Sequence, residues 1–291
     1  MDSTHDLSEP VEQVQVPNSV CPEPINTYVY IDDFNTVEKV RITDAESHIT
    51  TNKRRIRILA KKSELQFERV RILADSLNMR VNNQKTQLLC IHANKDSIVD
   101  SYIRTEGDDI TSTKGLKILG FHFDENPNAV AHVTQAINKF YNKLWTLRFL
   151  RRSGMDKTNL LKVYRTVILP SVEYCSEIYD SLIPKYMSDK LESVQRQAIR
   201  IIHGWNINIE DVMEREGIDS LQDRRTKACL AFANRAVKSR FGQKWFPRNP
   251  AARGARQTTR RIYEEKKART ERDRNNPIQH MIRLLNKQSS G

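Results

Sequence analysis

Apolar residues recur at helical spacing through much of the second half of the chain. Val133, Ile137, Tyr141, Leu144, Leu147 and Leu150 fall on one face of a long helix. "SGMDKTNLLKVYRTVILP" begins a second helix at Asp156 and is expected to stop at Pro170, which cannot continue the backbone ladder. In "YMSDKLESVQRQAIRIIHG", Met187, Leu191, Val194, Ala198 and Ile201 form one stripe, closed by Gly204. "SLQD", Ser220 to Asp223, is a capping pattern that opens a helix through about Val237. The first half reads differently. "TYVYI" is strand-like in composition, and "VEKVRIT" alternates apolar and polar residues. "SELQ" is a capping box from which Ser63 opens a helix; Phe67, Val70, Leu73, Ala74 and Leu77 line its apolar face and Asn78 stops it. "NNQKT" is a turn and "QLLCIHA" a strand. "KILGFHFD" is a strand interrupted at Gly120, where a bulge or a close backbone approach is expected. Strands with one helix, then helices alone, predict an α+β unit followed by a helical one.

Composition adds a polarity and a sign. Of 291 residues, 38% are hydrophobic and 29% charged, with a net charge of +12. An excess of this size favours a polyanionic partner through attraction and counterion release. The excess is C-terminal: from Trp205 onward 20 lysines and arginines face 10 acidic residues. Residues 1–24 carry Asp2, Asp6, Glu9, Glu12 and Glu23, no lysine or arginine and four prolines, as expected of a disordered leader. No apolar run approaches the roughly 18–20 residues of a membrane span, and no secretory h-region precedes residue 24, so the chain reads as soluble and intracellular, nuclear or cytoplasmic. Cys21, Cys90, Cys175 and Cys229 form no CxxC pair and match no histidine spacing, which argues against a zinc site or a disulfide framework. The expected divisions are the leader, a strand-bearing unit at 25–126, a helical region at 127–204, a small helical extension at 205–247 and a basic tail at 248–291, open or forming an exposed charged helix.

"NTYVYIDDFN" places Asp32 and Asp33 side by side after a β-prone run. Two readings stay open. Aspartate is a favoured turn residue because its carboxylate bonds the backbone two residues on. Alternatively, a divalent cation holds both carboxylates and removes their mutual repulsion, as phosphoryl and nucleotidyl transfer require.

Tyr30-Ile31-Asp32-Asp33 resembles the YxDD box of reverse transcriptases, a β-hairpin whose aspartates bind catalytic Mg²⁺ in that family. The order of later segments sharpens the resemblance. "LQFERVRILADSLNMRVNNQKTQLLCI" is similar to the helix, Asn-x-x-Lys-Thr turn and strand that follow the box in polymerases of non-long-terminal-repeat (LINE-type) retrotransposons. "LKILGFHFD" resembles the Leu-Gly strand beside the primer terminus, residues 137–204 resemble the helical thumb region, and "LQDRRTKACLAF…WFP" resembles the C-terminal part of such reading frames. The resemblance spans residues 26–247 and implies a truncated palm, a small antiparallel sheet with one helix, followed by a thumb-like helical region and a basic tail. It implies Asp32 as direct metal ligand with Asp33 its partner, Tyr30 near the primer end, and Lys85 as proton donor to the leaving pyrophosphate. The alternatives are ordinary strand packing for Tyr30 and a solvated turn lysine for Lys85.

In the resembled family the fingers and another metal-binding aspartate precede the box, whereas only residues 1–31 precede Asp32 here. The expectation is therefore a fragment, inactive alone, that acts with RNA or DNA and with a separate chain supplying the fingers and first half of the palm. A non-catalytic nucleic-acid-binding protein and the remnant of a decayed element remain the alternatives. Arg54, Arg55 and Arg57 in the densest N-terminal basic cluster, and Arg260 and Arg261 in the tail, are the candidate phosphate contacts. Trp145 and Tyr164 are more often core residues than stacking platforms in such helices.

Overall fold

The computed structural model describes residues 27–30, 33–36, 50–91, 102–104, 109–125, 128–240, 242–250 and 262–289, with backbone alone for 27–30, 33–36, 50–59 and Tyr102. The fold is mixed α and β, mostly helical. It divides into two compact units, residues 1–116 and 117–291.

In the first unit, β1 (Thr27–Tyr30) and β2 (Asp33–Thr36) form an antiparallel hairpin in which Tyr30 faces Asp33 across the ladder. The strand expected over "VEKVRIT" lies outside the described residues. Helix α1 runs from Thr50 to Ser76, so Ser63 is internal and does not open it. The physical reason is that residues 50–62 contain no glycine or proline and are rich in Lys, Arg, Leu and Ile, which propagate a helix; a capping box in mid-helix has no free N–H groups to satisfy. The predicted stop holds. Asn78 adopts φ 55, its N–H bonds Asp75 O at 3.0 Å, and the Met79 N–H bonds Ala74 O at 2.8 Å, the two bonds of a Schellman cap. Asn82 then caps a 3₁₀ turn at Asn83–Lys85 by accepting from the Lys85 N–H. Strand β3 is short, Leu88–Leu89. It pairs in parallel with β5 (Ile110–Thr113), which pairs antiparallel with β4 (Tyr102–Ile103). Val70, Leu73 and Ala74 of α1 are buried, as are Ile103 and Ile110 of this sheet.

"KILGFHFD" is a hairpin, not one interrupted strand. β6 (Gly115–Ile118) pairs with β7 (Phe121–Asp124) through Leu119 and Gly120. Both turn residues have positive φ, 47 and 84, the requirement of the tight turn that matches strand twist. The anticipated close approach is also present. A Cβ on Gly120 would lie 3.2 Å from the Tyr174 ring, and the Tyr174 hydroxyl donates to Leu119 O.

The second unit is a helical body. Helix α2 (Val130–Arg152) buries Val133, Ala136, Ile137, Phe140, Leu144 and Leu147. Tyr141, expected on this face, is instead 39% exposed, because the buried arc centres on Phe140. Asp156 caps α3 (Lys157–Val163). Pro170 does not stop the segment. A π-helical turn over Tyr164–Ile168, with the Leu169 N–H reaching Tyr164 O, lengthens the ladder, and Pro170 becomes the first residue of α4 (Pro170–Glu173). Next come α5 (Ser176–Tyr179) and α6 (Lys185–His203), whose predicted stripe is buried throughout. Gly204 ends α6 at φ 113. After α7 (Ile209–Arg215), Ser220 caps α8 (Leu221–Lys238), and the Glu192 carboxylate of α6 accepts the Leu221 and Gln222 N–H groups at 3.3 and 2.8 Å. That anion sits where the helix dipole favours it.

The C-terminal region is not an open tail throughout. Beyond α9 (Gly242–Trp245), Arg248 bridges to Tyr263. Short α10 (Glu271–Arg274) leads into α11 (Pro277–Gln288). Met281, Ile282 and Leu285 of α11 form a second small core with Cys229, Ala233 and Phe246. Among the described residues, irregular chain at 262–270 and the single turn of α10 stand where a charged helix over 260–274 is expected. Arginine-rich composition obscures the four apolar positions that follow at helical spacing, Ile278, Met281, Ile282 and Leu285.

Candidate functional site

The sequence-predicted residues fall on separate elements. Tyr30 ends β1 and Asp33 begins β2, so the pair flanks the hairpin tip. Asp32 lies outside the described residues, and with it the geometry of the carboxylate pair. Lys85 closes the 3₁₀ turn with an exposed side chain. Its N–H donates to Asn82 Oδ1 at 3.2 Å, so the Asn-x-x-Lys spacing serves the turn itself. Arg54, Arg55 and Arg57 lie in the first turns of α1, not in a loop before it. Arg260 and Arg261 lie outside the described residues.

What the structure brings together is on α2. Tyr141, Trp145 and Phe149, spaced four residues apart, point away from the core with exposures of 39%, 65% and 54%. The Trp145 and Phe149 rings stack at 5.6 Å between centroids, 13° from parallel. Arg148 and Arg152 lie on the same helix beside them, Arg152 at the surface. Trp145 is thus not a core residue. The four-residue spacing of aromatics is legible in the sequence, but spacing alone puts it on the buried face. Tyr164 does belong to the core. It is buried, Gln195 Nε2 donates to its hydroxyl at 3.1 Å, and burial pushes its pKa up to about 12.

A second exposed aromatic, Trp205, follows the end of α6, with the Arg200 guanidinium 5.9 Å over its ring. The same helix end is capped by Arg151, whose Nη1 donates to the Arg200 and Ile201 carbonyls. Arg151 is therefore committed to helix capping, while Arg148 and Arg152 flank the aromatic stripe.

His132 fixes the inner side of α2. It is 5% exposed and stacks on Phe121 at 4.3 Å. Its Nδ1 accepts the His122 N–H at 3.4 Å and its Nε2 faces Tyr174 O at 3.5 Å, a pattern met by the neutral ring with its proton on Nε2. Burial lowers its pKa, only partly offset by the Tyr174 carbonyl. In an open cleft lined by Glu173, Glu177, Asp219, Arg224 and Lys227, Arg224 pairs with Glu173 and Lys227 with Asp219.

Among the described residues, no helix is long and apolar enough to cross a membrane. Comparison with family models, curated proteins and solved structures finds no match.

Proposed function

We propose that this chain is a piece of a LINE-type RNA-directed DNA polymerase whose own part is to hold nucleic acid, with the outer face of α2 as its principal surface. The carrying observation is the stripe of Tyr141, Trp145 and Phe149 beside Arg148 and Arg152. Aromatic faces accept any base by stacking, and flanking guanidiniums track phosphates. The chain's charge of +12 supplies the complementary sign. On this proposal single-stranded RNA or DNA is the ligand. Nucleotidyl transfer belongs to an assembly in which Asp32 and Asp33 hold Mg²⁺, Lys85 donates a proton to the leaving pyrophosphate, and a separate chain or segment supplies a further aspartate and the fingers. Mg²⁺ there would activate the attacking oxygen and neutralise the leaving group.

The test is fluorescence anisotropy of labelled single-stranded oligonucleotides with the full chain over a salt series. Stacking of one base is worth about 1–3 kcal/mol, so Trp145→Ala is expected to weaken binding at least about fivefold and leave the salt slope unchanged. Arg148→Gln with Arg152→Gln is expected to flatten the slope by roughly 0.7 per lost phosphate contact. Wild-type affinity in Trp145→Ala would overturn the proposal.

A further inference from the structure

Three side chains far apart in sequence meet inside the second unit. Asp180 follows α5, Cys229 lies on α8 and His280 on α11, and one donor atom from each lies within 4.8 Å of the others. Cys229 is fully buried, and the Asp180 and His280 side chains are 8% and 25% exposed. Arg225 fixes the carboxylate. Its Nε donates to Asp180 Oδ1 at 2.9 Å and its Nη2 to Ser188 Oγ at 2.8 Å. Asp180 Oδ2 is thereby turned toward His280, whose Nε2 lies 3.3 Å away, within ion-pair distance. The Cys229 sulfur has only a long contact, 3.9 Å, to Glu177 O.

One oxygen, one sulfur and one imidazole nitrogen are the donors a borderline-soft divalent ion takes, and zinc accepts all three in a tetrahedron. We propose that Asp180, Cys229 and His280 form a zinc site that fastens α11 to the helical body. Zinc–ligand bonds of this set place donors about 3.5 Å apart, so the cluster contracts slightly on loading, with the partly exposed His280 side chain best able to move. Arg225 holds the carboxylate in orientation for the ion, as partners of metal ligands commonly do. Binding expels the Cys229 thiol proton to solvent, and the resulting thiolate and the Asp180 carboxylate face both the dication and the Arg225 guanidinium, which leaves the loaded cluster with one net positive charge. Solvent on the His280 side completes the coordination. Cysteine spacing gives no hint of this because the donors come from three separate elements, with no two of them neighbours in sequence.

The experiment uses chelator-treated full chain with Co²⁺ and Zn²⁺ as probes. One equivalent of Co²⁺ is expected to produce a thiolate-to-metal charge-transfer band, displaced by Zn²⁺, retained in Cys90→Ser and Cys175→Ser and lost in Cys229→Ser. Zn²⁺ is expected to raise the melting temperature, and His280→Gln to weaken uptake at least about tenfold. If Cys229→Ser does not fold, His280→Gln decides. Absence of stoichiometric uptake, a band that survives Cys229→Ser, or unchanged affinity in His280→Gln would each show the trio to be an ordinary ion-pair cluster and overturn the assignment.

Discussion

At the scale of single residues, His132 makes stability depend on pH. Burial lowers its pKa below the 6.5 of an unfolded histidine, and burial, Lys117 and Lys139 lower that of His122 beside it. Below pH 6.5 the unfolded chain takes up protons that the native imidazoles resist, so stability falls as pH drops through the unfolded value and levels off below the native ones. Urea unfolding at about pH 7.5 and about pH 5.5 is expected to show that loss, and His132→Gln is expected to reduce it. Gly120 is the other residue with a sharp requirement. Its φ is 84, and a Cβ there would meet the Tyr174 ring at 3.2 Å. Gly120→Ala is therefore expected to cost about 1–2 kcal/mol in the same assay. Neither requirement is fully visible in sequence. Gly120 announces a close approach but not its partner, since Tyr174 lies 54 positions away in the chain. His132 carries no signal beyond its place on a helix.

Elements differ in how far local sequence determines them. Three of the caps stand where the sequence predicts them, Asp156, Ser220 and Asn78, because each satisfies backbone groups within its own turn, whereas the Ser63 box fails because the helix already runs through it. Breakers are less decisive. Pro170 predicts a helix end, yet the π turn before it absorbs the missing donor. Strands β4 and β5 are not legible because Tyr102–Ile103 and Ile110–Thr113 are too short to show a period. Helix α11 is hidden because the charge around it masks its apolar face. Its packing gives a clear expectation. Ile282 is fully buried against α8 and Phe246, so Ile282→Ala should destabilise the second unit by about 2–4 kcal/mol in urea unfolding. A Lys287→Ala change on the exposed side of α11 should shift it by less than about 0.5 kcal/mol.

For the whole molecule, the sequence pattern predicts strands first and helices after, and the fold follows that order. The candidate surface is half legible. The basic excess and the aromatic residues of α2 are in view, but which arc of the helix faces solvent is set by α4 and α6 packing on the other side, a tertiary fact no periodicity of one helix contains. β1 and β2 pair antiparallel with Asp33 at the start of β2, and the proposed function gives this hairpin a catalytic role only within a larger assembly. Purified chain given primer, RNA template, deoxynucleotides and Mg²⁺ is accordingly expected to incorporate nothing, and incorporation abolished by Asp32→Asn would reverse that expectation. Everything proposed for the surface rests on bases stacking on α2. Trp205→Phe with Trp245→Phe leaves Trp145 as the chain's one tryptophan, and its fluorescence can be followed as single-stranded oligonucleotide is added. Saturable quenching is expected, disappearing at high salt together with binding. Binding that leaves Trp145 emission unchanged would contradict it.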